Sequence, residues 1–380
     1  MKILVQKFGG TSLADFNRLK HVASLIKAAR AEGYAVLVVV SSMGSTTDQL
    51  IDQVGSLNSP LTAREMASFL VTGEMQSAAL LAMTLAQSDI AAQSCSAAQI
   101  NLRAEGRYEH AHLKSVDVQR LQSILEKGVV PIVCGFQALN DQNEWVTLGR
   151  SGSDTTAVFL ASQLLAARCD IYTDVCGVMS ADPRKINHPR QITQMPLLSM
   201  LEFAKRGAQV LHLDSIKKAI ESDVCLRVRS SFENSMGTRL STDVPDDIQH
   251  YGVVHETGFA QWVSRVKLQG DHGTMIHHAC ADGHYYTGKH SEVLWLGEKY
   301  SKARIAPISQ LDKITIVGVH LKQDIGLAHW LKECAPITAR CVQIEDFAFS
   351  IYVDHTQGDR VFKEVHACVN NGFYVREIGD

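Results

Sequence analysis

The sequence predicts an α/β protein, a mostly parallel sheet sandwiched by helices and followed by smaller α+β modules. Two observations carry that expectation. As far as residue 240, short β-branched runs alternate with longer segments whose apolar residues recur at helical spacing. From residue 314 to 376 the order becomes strand, helix, two strands, helix, strand, which is a βαββαβ module.

The elements follow in chain order. A strand at Ile3 to Gln6 runs into Lys7-Phe8-Gly9-Gly10-Thr11-Ser12, and a helix is expected over Asp15 to Ala31. The strand Val36 to Val40 ends in Ser41-Ser42-Met43-Gly44-Ser45-Thr46-Thr47-Asp48, and Ala63 to Ala86 has helical spacing. Val129 to Cys134 is a strand, and Phe136 to Leu148 fits a hairpin turning at Asn140-Asp141. Then come Gly149-Arg150-Ser151-Gly152-Ser153-Asp154, the strand Asp170 to Thr173, and Asp174-Val175-Cys176-Gly177. Arg229 to Thr238 closes this part, and Val244-Pro245-Asp246-Asp247 reads as a linker. The expected domains are therefore 1–243, a small unit at 249–313 that is harder to parse, and the module at 314–380.

Open α/β sheets bind ligands outside the carboxyl ends of their strands. Four of these strand ends are polar here, so their loops are expected to converge on one crevice. The run KFGGTS reads as an anion cradle: glycines let backbone N–H groups approach a ligand, Thr11 or Ser12 can cap a following helix, and Lys7 adds charge. A plain strand-to-helix turn is the alternative. The spacing matches neither a Walker loop nor a dinucleotide fingerprint.

Composition narrows the partners. Lys and Arg number 37 against 40 Asp and Glu, a balance of −3 that provides no basic footprint for nucleic acid or acidic lipid and points to small molecules. No apolar run approaches a membrane span, and the start MKILVQKFGG is too short in apolar residues for a secretory segment. The nine cysteines form no C-x-x-C pair, a pattern for a reducing compartment. A cytoplasmic protein is expected.

The loops suit phosphate chemistry. Moving phosphate between two anions requires cations and backbone dipoles more than a covalent nucleophile. Arg150 offers a planar fork for a carboxylate, and Lys7 is a point charge suited to a phosphoryl group in flight. Asp154 is either a helix cap or a carboxylate that orients Lys7 or a metal-bound nucleotide. Glu74, inside an apolar helical stretch, is either a surface charge or a ligand for an ammonium group. His272, His277, His278, Cys280 and His284 crowd one stretch, but their spacing fits no zinc ligand pattern, and no metal ligands are assigned.

Together KFGGTS, VSSMGSTTD, TGE, GF, LGRSGSDTTA, YTDVCGVMSADPR, RGAQVLH, and VRSSF followed by GT resemble, in order and spacing, the aspartate kinases of the amino acid kinase family. The resemblance covers residues 1–240, and the βαββαβ module looks like the ACT regulatory domains these kinases carry in tandem. It implies an amino acid kinase fold over 1–243, a degenerate ACT-like region at 249–313 and an ACT-like domain at 314–380. The implied reaction is ATP-dependent phosphorylation of the side-chain carboxylate of L-aspartate, with Mg²⁺ accompanying ATP.

Position by position, the resemblance has Lys7 stabilising the transferring phosphoryl group and Gly9 and Gly10 contacting phosphate. Ser41, Thr47, Glu74, Phe136, Arg150 and Ser153 hold the amino acid, Glu74 by its ammonium and Arg150 by a carboxylate. Asp154 organises the lysine. Thr173, Asp174, Met179, Arg184 and Gln209 fall on the nucleotide side.

The departures cluster on that side. Ser151 replaces a family glycine, Met179 a tyrosine, Gln209 a lysine and Leu213 a proline, and Cys176 stands where Asp or Pro is common. A diverged active kinase, a kinase for another acidic amino acid, and an amino-acid sensor that has lost turnover all fit. The ACT resemblance also implies a homodimer with an amino-acid effector site at the loop His320 to Gly326.

Overall fold

The computed structural model describes residues 1–55, 62–208, 210–244, 250–264, 275–280, 283–289, 309–318, 321, 339–345 and 348–371. Contacts divide the chain into two compact units. The first comprises Met1–Val178, Gln191–Leu201 and Gln209–Val244; the second comprises Met179–Arg190, Glu202–Ala208 and Pro245–Asp380.

The first unit is built on β1 (Ile3–Phe8), β2 (Ala35–Val40), β3 (Ala92–Cys95), β4 (Arg103–Arg107), β5 (His110–Ser115), β6 (Val130–Cys134), β7 (Gln137–Leu139), β8 (Trp145–Thr147), β9 (Arg168–Thr173), β10 (Gln194–Pro196), β11 (Leu226–Ser230) and β12 (Thr238–Ser241). Eight of these form one sheet in the order β10-β12-β11-β9-β1-β2-β6-β3. From β11 to β3 every pairing is parallel, so β11, β9, β1, β2 and β6 all end on one edge. Only β12 runs against its neighbour β11. Strands such as Val36 to Val40 read as continuous apolar runs because both faces are covered.

The helices of this unit are α1 (Phe16–Ala31), α2 (Thr46–Gly55), α3 (Ala63–Leu70), α4 (Thr72–Ala86), α5 (Val118–Glu126), α6 (Gly152–Gln163) and α8 (Leu213–Glu221), and α7 (Leu197–Lys205) begins in it and ends in the second. Leu19, Val22 and Ile26 of α1 and Ala78, Leu81 and Leu85 of α4 close over Leu4, Val36, Val38 and Ile132. Strands β5, β4, β7 and β8 make a separate four-stranded sheet, whose β7–β8 hairpin is the one read from sequence.

Three local expectations change. The chain after β1 enters a 3-10 turn, Gly10–Leu13, and the cap of α1 is Asp15, whose carboxylate accepts from the Arg18 N–H at 2.9 Å. Ser12 cannot cap because its hydroxyl is buried against Ser231. The helix expected over 63–86 is α3 and α4 meeting at Val71. Contrary to the sequence reading, Ala63–Ala86 is long and apolar enough to cross a membrane by length and composition, but the buried side of α4 packs in the sheet's core.

The second unit contains β13 (His250–Ser264), β14 (Ile276–Cys280), β15 (Gly283–Lys289), β16 (Ser309–Gly318), β17 (Ala339–Ile344) and β18 (Ala348–Asp354), a six-stranded sheet ordered β14-β15-β13-β16-β18-β17. All its pairings are antiparallel. Helix α9 (Gly358–Asn371) packs Val361, Phe362 and Val365 against Val253, Ile314, Phe349 and Ile351.

Residues 179–190 join this core through Ala181 and Ile186, and the Val253 N–H donates to the Ser180 carbonyl at 2.7 Å. Gly252 permits that approach, since a Cβ there would lie 2.3 Å from the Ser180 oxygen. Of the expected module, the first strand, the strand pair and the second helix are present. The helix expected over 326–334 and the strand over 373–377 lie outside the described residues, as do His272 and, apart from Leu321, the loop 320–326. Among the described residues, no three His, Cys, Asp or Glu side chains are grouped to hold a metal.

Candidate active site

The shared strand edge is stitched together by backbone hydrogen bonds. Gly9 N–H donates to Tyr172 O at the end of β9, Ser41 N–H to Phe8 O, Gly44 N–H to Gly10 O and Gly135 N–H to Val40 O. The turn after β1 thus lies between the loops following β9 and β2. Gly10 is required by space: a Cβ would sit 2.8 Å from Ser42 O and 2.9 Å from Gly44 O.

Lys7, at the end of β1, places its Nζ 2.7 Å from Asp154 Oδ1, both side chains about 11% exposed. The approach lies off the direction of a hydrogen bond, so the contact is an ion pair held by Coulomb attraction. Asp154 is the third residue of α6, not its cap, so the cap reading is excluded. A Cβ on Gly9 would lie 3.5 Å from Lys7 Nζ, so the cation and the glycine backbone are adjacent.

The loop entering α6 is strained. Ser151 has φ 55°, left-handed, at the position the sequence singled out as a lost glycine. Phe136 has φ 67°, and the Gln137 N–H donates to Gly135 O at 2.8 Å, a γ-turn of the rare positive-φ kind. Bulky residues adopt such angles only when surroundings impose them, and these positions concentrate at functional sites. Here Gly152 packs on Leu148 and Phe136, and Ser153 fills the space in front of Gly135. Arg150 stands exposed on this loop, with no ion-pair partner among the described residues.

Glu74, in the first turn of α4, is 3% exposed. Its Oε1 accepts from the Ser42 N–H at 3.0 Å, and its Oε2 has no hydrogen-bond partner among the described residues. Burial is the main cause that lifts its pKa to about 7, against the lowering effect of the Ser42 N–H. Of the two readings, surface charge or ligand for a cation, the first is excluded. Thr47 and Ser42 share a hydroxyl–hydroxyl bond of 2.6 Å, and half-buried Ser41 closes the end of β2. Gly73 lets α4 approach, since a Cβ would meet the Ser42 Cβ at 2.9 Å.

On the far side of β1, the Thr173 hydroxyl donates to Asp174 Oδ1 at 2.9 Å, with Asp174 exposed. Met179 and Arg184 belong to the second unit, where the Arg184 guanidinium holds Asp182 at 2.8 Å. Gln209 lies outside the described residues. Sequence reasoning missed Ser42 as the group that fixes Glu74. The only available signal was its place in the polar run after β2.

This constellation is a lysine–aspartate pair beside a glycine turn, with a buried, half-satisfied carboxylate one strand away. The sequence matches the amino acid kinase family over residues 2–230. The chain belongs to that family. An aspartokinase of Geobacillus stearothermophilus is 41% identical over 270 residues, covering 71% of this chain and 66% of that one. The chain therefore spans just under two thirds of that relative's length. Crystal structures of E. coli aspartokinase III share its fold at 20% identity. One, in complex with aspartate and ADP, has a TM-score of 0.73 over 96% of this chain and 99% of that one. The other, in complex with lysine and aspartate, has a TM-score of 0.78 over 97% and 99%.

Proposed function

We propose that this amino acid kinase transfers the γ-phosphoryl group of ATP to the side-chain carboxylate of L-aspartate, giving 4-phospho-L-aspartate and ADP. The observation that carries the reading is the Lys7–Asp154 pair at the glycine turn together with the cation-seeking carboxylate of Glu74. Support comes from the Geobacillus stearothermophilus relative named aspartokinase, and from the E. coli aspartokinase III structure with aspartate and ADP.

The roles follow from chemistry. The substrate's ammonium group completes Glu74, whose Oε1 is met by the Ser42 backbone N–H while Oε2 is left open. Arg150 grips a substrate carboxylate bidentately. Ser41, Thr47, Phe136 and Ser153 shape the amino-acid side. Gly9 and Gly10 present backbone to the phosphates, while Thr173 and Asp174 border the nucleotide. As the side-chain oxygen attacks the γ-phosphorus and the bond to the β-phosphate bridging oxygen breaks, Lys7 stabilises charge on the phosphoryl oxygens. Asp154 keeps Lys7 aimed. Mg²⁺ bound with the nucleotide would offset phosphate charge, and the carboxylates of Asp154 and Asp174 would be the groups suited to its water shell.

We read the second unit as ACT-like, binding an amino-acid effector and pairing with a second copy of the chain. Its antiparallel sheet under α9 and the E. coli aspartokinase III complex with lysine support this.

Aspartate-dependent ADP release, with the acyl phosphate trapped by hydroxylamine as the hydroxamate, tests the reaction. Hydroxamate formed with aspartate and ATP is the expected result. Aspartate binding without turnover would replace the kinase with a sensor, and turnover only with another acid would change the substrate.

A further inference from the structure

Arg18 was singled out by nothing in the sequence, yet its Nη2 enters a network of hydrogen bonds at the strand edge. It lies in the first turn of α1, and its Nη2 donates to the Ser231 carbonyl at 2.6 Å and to the Ser231 Oγ at 2.9 Å. Ser231 Oγ in turn lies 2.7 Å from Ser12 Oγ. The Ser231 N–H donates to Thr173 O at 2.9 Å, and the Ser12 N–H donates to Gly9 O at 3.0 Å. Ser12 and Ser231 are 0% and 1% exposed. The guanidinium lies 3.6 Å from the centre of the Phe232 ring, which fixes its plane.

We infer that Arg18 is a positioning residue for nucleotide binding, acting through Ser231 and Ser12 on the Gly9–Gly10 turn. The inference rests on the reading of that turn as the phosphate cradle. Two separate strand ends carry the groups assigned to the nucleotide, β1 with Gly9 and Gly10 and β9 with Thr173 and Asp174. Ser231, just past the end of β11, is tied to both, through Ser12 and through Thr173 O. A two-pronged donor on a buried serine holds them to one geometry, and cradle geometry is what sets phosphate affinity. None of these bonds touches Glu74, Ser42 or Thr47, which are anchored to β2 and α4. The network therefore acts first on the nucleotide, and reaches the amino-acid side only secondarily, where Gly10 packs on the loop after β2.

Calorimetric titration of the full chain with Mg-ADP, alongside steady-state kinetics, tests this. Arg18→Ala and Ser231→Ala are each expected to weaken ADP binding about tenfold. The double variant should be no worse than the weaker single, because both remove one network. The KM for aspartate should stay within twofold of the parent. Should those variants fail to fold, Ser12→Ala removes one buried hydroxyl and is expected to show the same one-sided change in smaller measure. ADP affinity within twofold of the parent, additive losses, or an equal rise in the aspartate KM would each overturn the inference. A parent protein that binds ADP but phosphorylates no aspartate would refute the proposed reaction instead, with the Arg18 network still judged on ADP affinity.

Discussion

The two sides of the strand edge are finished to different degrees. At the phosphate side, Lys7 already has its counter-charge in Asp154, so the pair is close to neutral and stays aimed before any ligand arrives. At the proposed amino-acid side, Glu74 is buried with one oxygen unsatisfied and no ion-pair partner among the described residues, a carboxylate that a ligand's cation would complete. The difference teaches how one edge sorts two anionic substrates. In the proposed reaction the lysine side would recognise phosphate by a preset cation and backbone dipoles, and the glutamate side the one positive group an amino acid has.

The largest effect that could break this comparison is expected from Lys7→Ala. Removing a preset charge from a transition state costs about 10³-fold in rate, so kcat should fall by that order in the hydroxamate assay with little change in aspartate KM. Arg150→Ala should instead act on the amino-acid side. Losing a bidentate carboxylate contact is expected to raise aspartate KM by about 10²-fold.

Glu74→Gln sharpens the contrast because activity and stability should move in opposite directions. Aspartate affinity should drop about 10²-fold as the ammonium loses its counter-charge. The empty protein should gain stability. With a folded pKa of about 7 against the ordinary 4.5, Glu74 holds a proton in the folded state that the unfolded chain has released. Stability therefore falls as pH rises from 4.5 to 7, and the full penalty, about 3 kcal/mol, applies above that window. Urea unfolding at pH 8 should show the glutamine variant ahead by up to that amount, with the advantage fading as pH drops through the window.

The smallest effect concerns backbone alone. Ser151→Gly relieves a left-handed residue and should raise stability by about 1 kcal/mol, read as a higher Tm.

Much of the fold was legible because β-branched runs and helical periodicity are local signals, as at Val36 to Val40 and Asp15 to Ala31. The strand ends could be named for the same reason. Burial was not legible: TGE in an apolar stretch is compatible with a surface charge, and only the packing of Gly73 on Ser42 shows that Glu74 faces inward. Nor was the partner of Asp154, since a residue at a helix start pairs with Lys7 only once β1 and α6 are neighbours. The excursion of 179–190 into the second unit depends on Gly252, more than sixty positions away, and leaves no local trace. Ser12 looked like a cap because its competitor for the hydroxyl, Ser231, is distant in sequence.

Glu74 is, in the proposed function, the charge an amino acid completes. Carbon-13 NMR of the Glu74 carboxyl, titrated with and without L-aspartate, measures it directly. A pKa near 7 in the empty protein that falls below the ordinary glutamate range when aspartate binds is the predicted result. A titration unmoved by saturating aspartate would contradict it.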